Sequence, residues 1–150
     1  MPNENLYLIL WAALSFFTLG QIWFAQIAIY PLFALVGEGE YIPYHRSYTR
    51  RIPLVVIVPG FASFLLPMLL TWLVPTVPTW MHGLNVITGL IGLLLTIGLL
   101  IPRHNRLERD GKNDAVINEL VGYNWFRTMS MSVQAVVTGC MLSHLMHAAG

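Results

Sequence analysis

PLVVIVPGFASFLLPMLLTWLV, residues 53–74, contains no charged side chain. A helix needs about 20 predominantly apolar residues to cross the hydrocarbon of a bilayer, so this stretch reads as a membrane span. Reading outward from it, Pro75 and Pro78 bracket a very short turn, and His82 to Ile101 forms a second span without charge after its first residue. On the other side Leu6 to Val36 forms another, ionisable only in its tyrosines; it has no basic start and is too long for a cleavable signal core. A fourth, from about Tyr123 to Met146, contains a single charge, Arg127. Runs of this length without strict alternation are helices rather than barrel strands.

The composition agrees. Charged residues make up 10% of the 150 positions and hydrophobic ones 56%, with mean hydropathy +0.64, whereas a soluble domain is roughly 25% charged. Eight Lys+Arg do not build a phosphate-neutralising face, so nucleic acid is not an expected partner. The apolar content excludes disorder, and a lone cysteine, Cys140, excludes an internal disulfide framework and a multi-Cys zinc site. The expectation is one all-α integral membrane domain over residues 1–150. It is a four-helix bundle with spans at about 6–36, 53–74, 82–101 and 123–146 and loops at 37–52 and 102–122.

Charge orients it. Arg46, Arg50 and Arg51 lie in the first loop, and Arg103, Arg106, Arg109 and Lys112 in the third. The tails and the second loop have neither Lys nor Arg. By the positive-inside rule loops one and three are cytoplasmic and both termini extracytoplasmic, which suits a bacterial inner membrane. Three breaks are expected: Tyr30-Pro31 kinks the first helix or ends its regular part, Pro102 closes the third span, and Asp114 caps the helix that continues into the fourth.

Polar groups within spans are costly unless paired, so each needs an account. Thr18, Gln21 and Gln26 lie in the first span, Asn85, Thr88, Gly92 and Thr96 in the third, and Asn124, Arg127, Thr128, Gln134 and Thr138 in the fourth. Helical spacing puts the third- and fourth-span sets each on one stripe, facing inward, while the second span seals the bundle. Small and polar residues of this kind are ordinary glue between membrane helices, and Gly89 and Gly92 permit close approach inside a bundle or between copies.

The cytoplasmic end asks for more than glue. Gln26, Tyr30, His45, Arg46, His104, Asn105, Asn124 and Arg127 arrive there from separate chain regions. His45 and His104 are the candidate acid/base pair, because imidazole ordinarily titrates near neutrality. Gln26, Tyr30, Arg46, Asn105, Asn124 and Arg127 are candidate ligand contacts. Arg127 either snorkels to the interface and meets a lipid phosphate or turns inward as an anchor for an anionic or polar oxygen. At the opposite end His82, His144 and His147, with Cys140 nearby, form a weak candidate for copper, haem or zinc. That set has no carboxylate support, and an ordinary frayed C-terminus with interfacial histidines is the better account of it.

The run Tyr30-Pro31-Leu32-Phe33, then Tyr44-His45-Arg46, Ile101-Pro102-Arg103-His104-Asn105-Arg106-Leu107 and Asn124-Trp125-Phe126-Arg127-Thr128 resembles small uncharacterised four-span bacterial membrane proteins loosely grouped with the anthrone-oxygenase-like family. The likeness extends from about Gln21 to Val137. It implies a four-helix membrane bundle and cofactor-free oxygenation of a reduced, planar polyketide to a quinone, without matching an established catalytic residue. Three readings are open: an anthrone- or quinol-type oxygenase, or binder, acting on a hydrophobic small molecule; a non-enzymatic accessory subunit of a larger membrane complex, or a homo-oligomer, binding lipid or pigment; and a haem or copper protein. The short glutathione-using membrane transferases share the size but not the uncharged second span.

Overall fold

The structure, a computed structural model, describes residues 3–148, and among these every regular element is helical. Four rods run Glu4–Leu35, Glu38–Leu73, Thr79–Asp110 and Asp114–Ala148. Each is long and apolar enough to cross a membrane. Joined by tight turns, they run up and down as a four-helix bundle. The fourth rod packs on the first and third, the second packs on the same two, and the second and fourth stand diagonally across the bundle.

The stretches expected as loops, 37–52 and 102–122, are largely helical. Glu38–Ile52 and Ile101–Asp110 prolong the second and third rods beyond their uncharged cores. They pack against each other as a charged end, where Arg46 meets Glu108 at 3.3 Å and Arg103 meets Glu119 at 3.1 Å. Thr49 Oγ1 donates to Glu108 at 2.8 Å, and this bond, with Arg46 beside it, holds that surface carboxyl below the usual carboxylate range.

The expected cap at Asp114 is corrected by one position. Asn113 Oδ1 accepts from the Val116 N–H at 3.1 Å and Asn113 O accepts from Ile117 at 3.0 Å, the geometry of an N-cap residue. The turn before it depends on Gly111, whose φ of +85° lies where only glycine sits without strain.

Pro102 does not close its helix, and Pro31 does more than kink. Three π-turns interrupt the rods, at Ala25–Ile29, Pro53–Ile57 and Thr96–Leu100, and each is followed two positions later by proline: Pro31, Pro59 and Pro102. Each turn closes through the N–H of the residue just before that proline, Tyr30 to Ala25 O, Val58 to Pro53 O and Ile101 to Thr96 O. A proline ring collides with the carbonyl four residues earlier; widening that turn to an i→i+5 bond removes the collision without ending the helix. The extra residue rotates everything after it by about 100° relative to an uninterrupted helix.

Pro67 lies inside the second rod with no π-turn of its own. It cannot donate to the Ser63 carbonyl, and that oxygen instead accepts from Gln134 Nε2 at 2.7 Å, reaching from the fourth rod. The same amide donates to Asn85 O at 2.8 Å. Gly89 makes this bridge possible, since a Cβ there would overlap Ser63 O. Thr138 Oγ1 joins Asn85 Oδ1 at 3.2 Å and accepts from the Trp11 indole at 3.0 Å. The polar stripes therefore do face inward, and both glycines serve packing inside the bundle: Gly92 faces Met131.

Candidate functional site

Arg127 does not snorkel. It is 4% exposed and held from three directions. Its Nε donates to Asn124 Oδ1 at 2.9 Å, Nη1 to Thr96 Oγ1 at 3.2 Å and Nη2 to Tyr30 Oη at 3.1 Å. Asn124 is one helical turn earlier on the same rod, so the Asn-x-x-Arg spacing is itself the clamp. Asn124 Nδ2 donates to Gln26 Oε1 at 2.8 Å, and Gln26 Nε2 donates to Val121 O at 3.3 Å, which fixes the amide that orients the guanidinium. Thr128 Oγ1 donates to Asn124 O at 2.9 Å.

The π-turns place the other partners. Gln26 lies within the first, Tyr30 immediately after it, and Thr96 opens the third. His104 follows that third turn by four residues and stacks on His45, with ring centroids 5.3 Å apart and His45 Nε2 to His104 Nδ1 at 3.1 Å. His104 Nε2 lies 3.4 Å from Tyr30 Oη. The Phe33 ring packs edge-on against His45, Tyr48 and His104 and walls this group.

Six candidates thus form one connected network: Gln26, Tyr30, His45, His104, Asn124 and Arg127. Arg46 and Asn105 are exposed on the surface of the same end, Arg46 paired with Glu108. His82 is buried with Nε2 against Val74 O at 3.1 Å, whereas His144 and His147 are exposed, His147 Nδ1 bonding Ser143 O at 2.7 Å. Among the described residues no three His, Cys, Asp or Glu side chains gather as a metal site, so these three histidines do not form one centre.

Two clefts meet at Arg127. One, narrow and partly open to the surroundings, has a cavity volume of about 20 Å³ and is lined by Thr18, Gln21, Phe61, Thr96, Met131 and Arg127 among others. The second, about 30 Å³, is lined by Tyr30, Tyr48, Thr96, His104 and Arg127 with apolar neighbours. Val56 and Ile57, from the second π-turn, wall both. Both amide atoms of Gln21 are buried without a hydrogen-bond partner among the described residues.

The guanidinium has five N–H groups, and three are used on neutral oxygens. Among the described residues no carboxylate pairs with it; the side-chain ion pairs use Arg46, Arg103, Arg106 and Arg109. The site is a buried, uncompensated cation with spare donors at the junction of two clefts, beside an imidazole pair. Tyr48, Thr96, Gln21 and Phe33 also border the site, and nothing in their residue types sets them apart from ordinary packing. Of these Phe33 alone lies beyond a wide turn of its own rod, and Pro31, two positions after that turn, is the signal for its altered facing. No protein-family model, no curated protein and no solved structure matches the chain.

Proposed function

We propose that this protein binds, between its helices at the charged end, a lipophilic small molecule with an acidic or enolisable oxygen, and transfers a proton from it. The observation that carries this reading is Arg127, a buried guanidinium with no carboxylate partner among the described residues. An unpaired buried charge costs several kcal/mol, and neutral acceptors solvate it without cancelling it. An anion formed in the cleft cancels it, so the site favours the ionised form of a bound acid over the neutral one. The apolar walls from Val56, Ile57, Phe61 and Met131 suit a hydrocarbon body, and the Gln21 amide offers a second polar contact.

An anthrone- or quinol-type oxygenation fits this arrangement. A base takes the acidic C–H proton, Arg127 holds the enolate oxygen, and the carbanion reduces dioxygen, so that anthrone and O₂ give anthraquinone and water. No cofactor is needed for that balance. Of the two candidate bases His104 lines the cleft, while His45 lies fully buried behind it. We place the charged end on the cytoplasmic side of a bacterial inner membrane, following the loop arginines.

The test uses purified protein in mild detergent with an anthrone in air, reading anthraquinone absorbance, alongside mass analysis of any co-purifying hydrophobic compound. Wild type is expected to accelerate the reaction or retain the compound, and R127A and H104A to lose at least tenfold of either. Unchanged turnover and retention in both variants would show that the site is elsewhere.

A further inference from the structure

Between Arg127 and the outer face of the charged end, three ring groups form a chain whose hydrogen bonds leave few choices. Arginine only donates, so Tyr30 Oη accepts from Nη2 at 3.1 Å. His104 touches Tyr30 Oη through Nε2 at 3.4 Å and His45 Nε2 through Nδ1 at 3.1 Å. A neutral imidazole carries one N–H and one lone pair, which allows two arrangements. In the first, Tyr30 donates to His104 Nε2, His104 Nδ1 donates to His45 Nε2, and His45 keeps its proton on Nδ1. In the second every bond is reversed: His45 Nε2 donates to His104 Nδ1, His104 Nε2 donates to Tyr30, and the tyrosine hydroxyl turns to the cleft. Either way the chain ends at His45 Nδ1, which is buried and has no partner among the described residues.

We propose that Tyr30, His104 and His45 are a proton path between the cleft at Arg127 and the surface of the charged end. The path rests on the proposed site only for the group that supplies the proton. Starting from the first arrangement, the bound acid gives its proton to Tyr30 Oη as the Tyr30 proton moves to His104 Nε2. The His104 Nδ1 proton moves to His45 Nε2, and His45 releases its Nδ1 proton. Each O–H or N–H bond broken is matched by one formed, one proton leaves, and the conjugate anion remains beside Arg127. The rings then stand in the second arrangement, and rotation of the hydroxyl with return of the tautomers resets them.

Other titratable and charged groups face the chain from every side. Tyr41, whose own Oη is buried without a partner among the described residues, stacks on His45 with centroids 5.7 Å apart. Tyr48 packs against both imidazoles. From the third rod Glu108 acts on His45 through space, and from the fourth Arg127 acts on His104. A positive charge at one end and a negative one at the other favour proton movement from the cleft outward. His45 is itself fully covered, so release waits on a local opening of the Glu38–Ile52 helix.

The experiment needs no ligand. The full chain, ¹⁵N-labelled at histidine, is placed in lipid nanodiscs, and exchange of ring N–H protons with water is measured by NMR for wild type, H45F and H45Q. Wild type is expected to show a nitrogen–nitrogen scalar coupling across the His45–His104 contact. Exchange of the His104 ring proton should slow at least tenfold in H45F and H45Q, with the His82 ring proton unchanged. Glutamine keeps a polar contact but does not pass a proton through a ring, so a purely structural role predicts rescue in H45Q and the path predicts none. Unaltered His104 exchange in either folded variant overturns the proposal, and so does absence of the coupling in wild type, a measurement that stands even if both variants misfold. Failure to bind or oxidise an anthrone would refute the proposed function while leaving this result as it stands.

Discussion

Two polar layers cross this bundle, and they are built on opposite principles. The layer at Trp11, Ser63, Asn85, Gln134 and Thr138 is neutral and closed. The carbonyl that Pro67 leaves free is met by Gln134, and the Trp11, Asn85 and Thr138 groups pair with one another and with Gln134. The layer at Arg127 is charged and open, with spare guanidinium donors, an unpartnered imidazole nitrogen and two clefts. Both use the same residue types at similar helical spacing, so polarity within a span does not by itself mark a site. What marks it is a charge that the protein leaves uncancelled.

The sharpest way to break the closed layer is at Gly89. Alanine there must push its Cβ into the Ser63 backbone oxygen, with Gln134 Nε2 at 2.9 Å. Backbone cannot yield as a side chain does, so G89A is expected to destabilise by about 3 kcal/mol, near the upper end of overpacking. At Gly92 the obstructing atom is the Met131 methyl, the far end of a flexible side chain. G92A should therefore cost about 1 kcal/mol or less. Denaturant titration in mixed micelles checks both, and equal losses would show that the Ser63 approach is not what constrains the pair.

The layers should also respond in opposite ways to apolar replacement. Q134L removes the donor that meets the Ser63 carbonyl and is expected to destabilise by about 2 kcal/mol, the usual range for a buried acceptor left unmet. R127M strands the oxygens of Asn124, Thr96 and Tyr30 that the guanidinium meets, but it also relieves an unpaired buried charge that itself costs several kcal/mol, and the two changes roughly offset. Its unfolding midpoint should lie within about 1 kcal/mol of wild type, while turnover or retention of a bound compound falls. If R127M unfolds as readily as Q134L, Arg127 is glue like the rest.

This contrast also shows how much was legible in the amino-acid sequence. The uncharged stretches and the basic loops mark out four helices. The inward stripes follow from helical spacing, and Gln26, Tyr30, His45, His104, Asn124 and Arg127 do converge. Arg46 and Asn105 share that end of the bundle but not its interior: Asn105 lies beyond the third π-turn, and each directly follows a buried or half-buried histidine, which turns it about 100° away on the same helix. Thr96 does fall on the inward stripe that helical spacing gives, but a threonine there is ordinary packing by type, and only the bond it accepts from Arg127 makes it part of the site. The helical character of residues 38–52 is hidden by their charge, since a polar helix packed on one neighbour has no span-like signature. Asn113 displaces Asp114 as the cap because the two types cap equally well and backbone geometry decides between neighbours.

The smallest effect separates the two layers most finely. Thr138 Oγ1 donates to its own helix at Gln134 O, 2.8 Å away, and accepts from the Trp11 indole at 3.0 Å. T138V keeps the shape and removes that acceptor, which strands an indole N–H on a residue that is 2% exposed. Polar contacts between membrane helices average about 0.6 kcal/mol by double-mutant cycles, so the expected loss is about 1 kcal/mol or less. The ultraviolet absorption of the indole should shift as its N–H loses its partner, and W11F should abolish that shift. The Arg127 network should not notice: His45–His104 coupling and retention of any bound compound are expected to match wild type. A change at the imidazole pair on T138V would show the two layers to be one cooperative network, with the neutral layer setting the position of the charged one through the fourth rod.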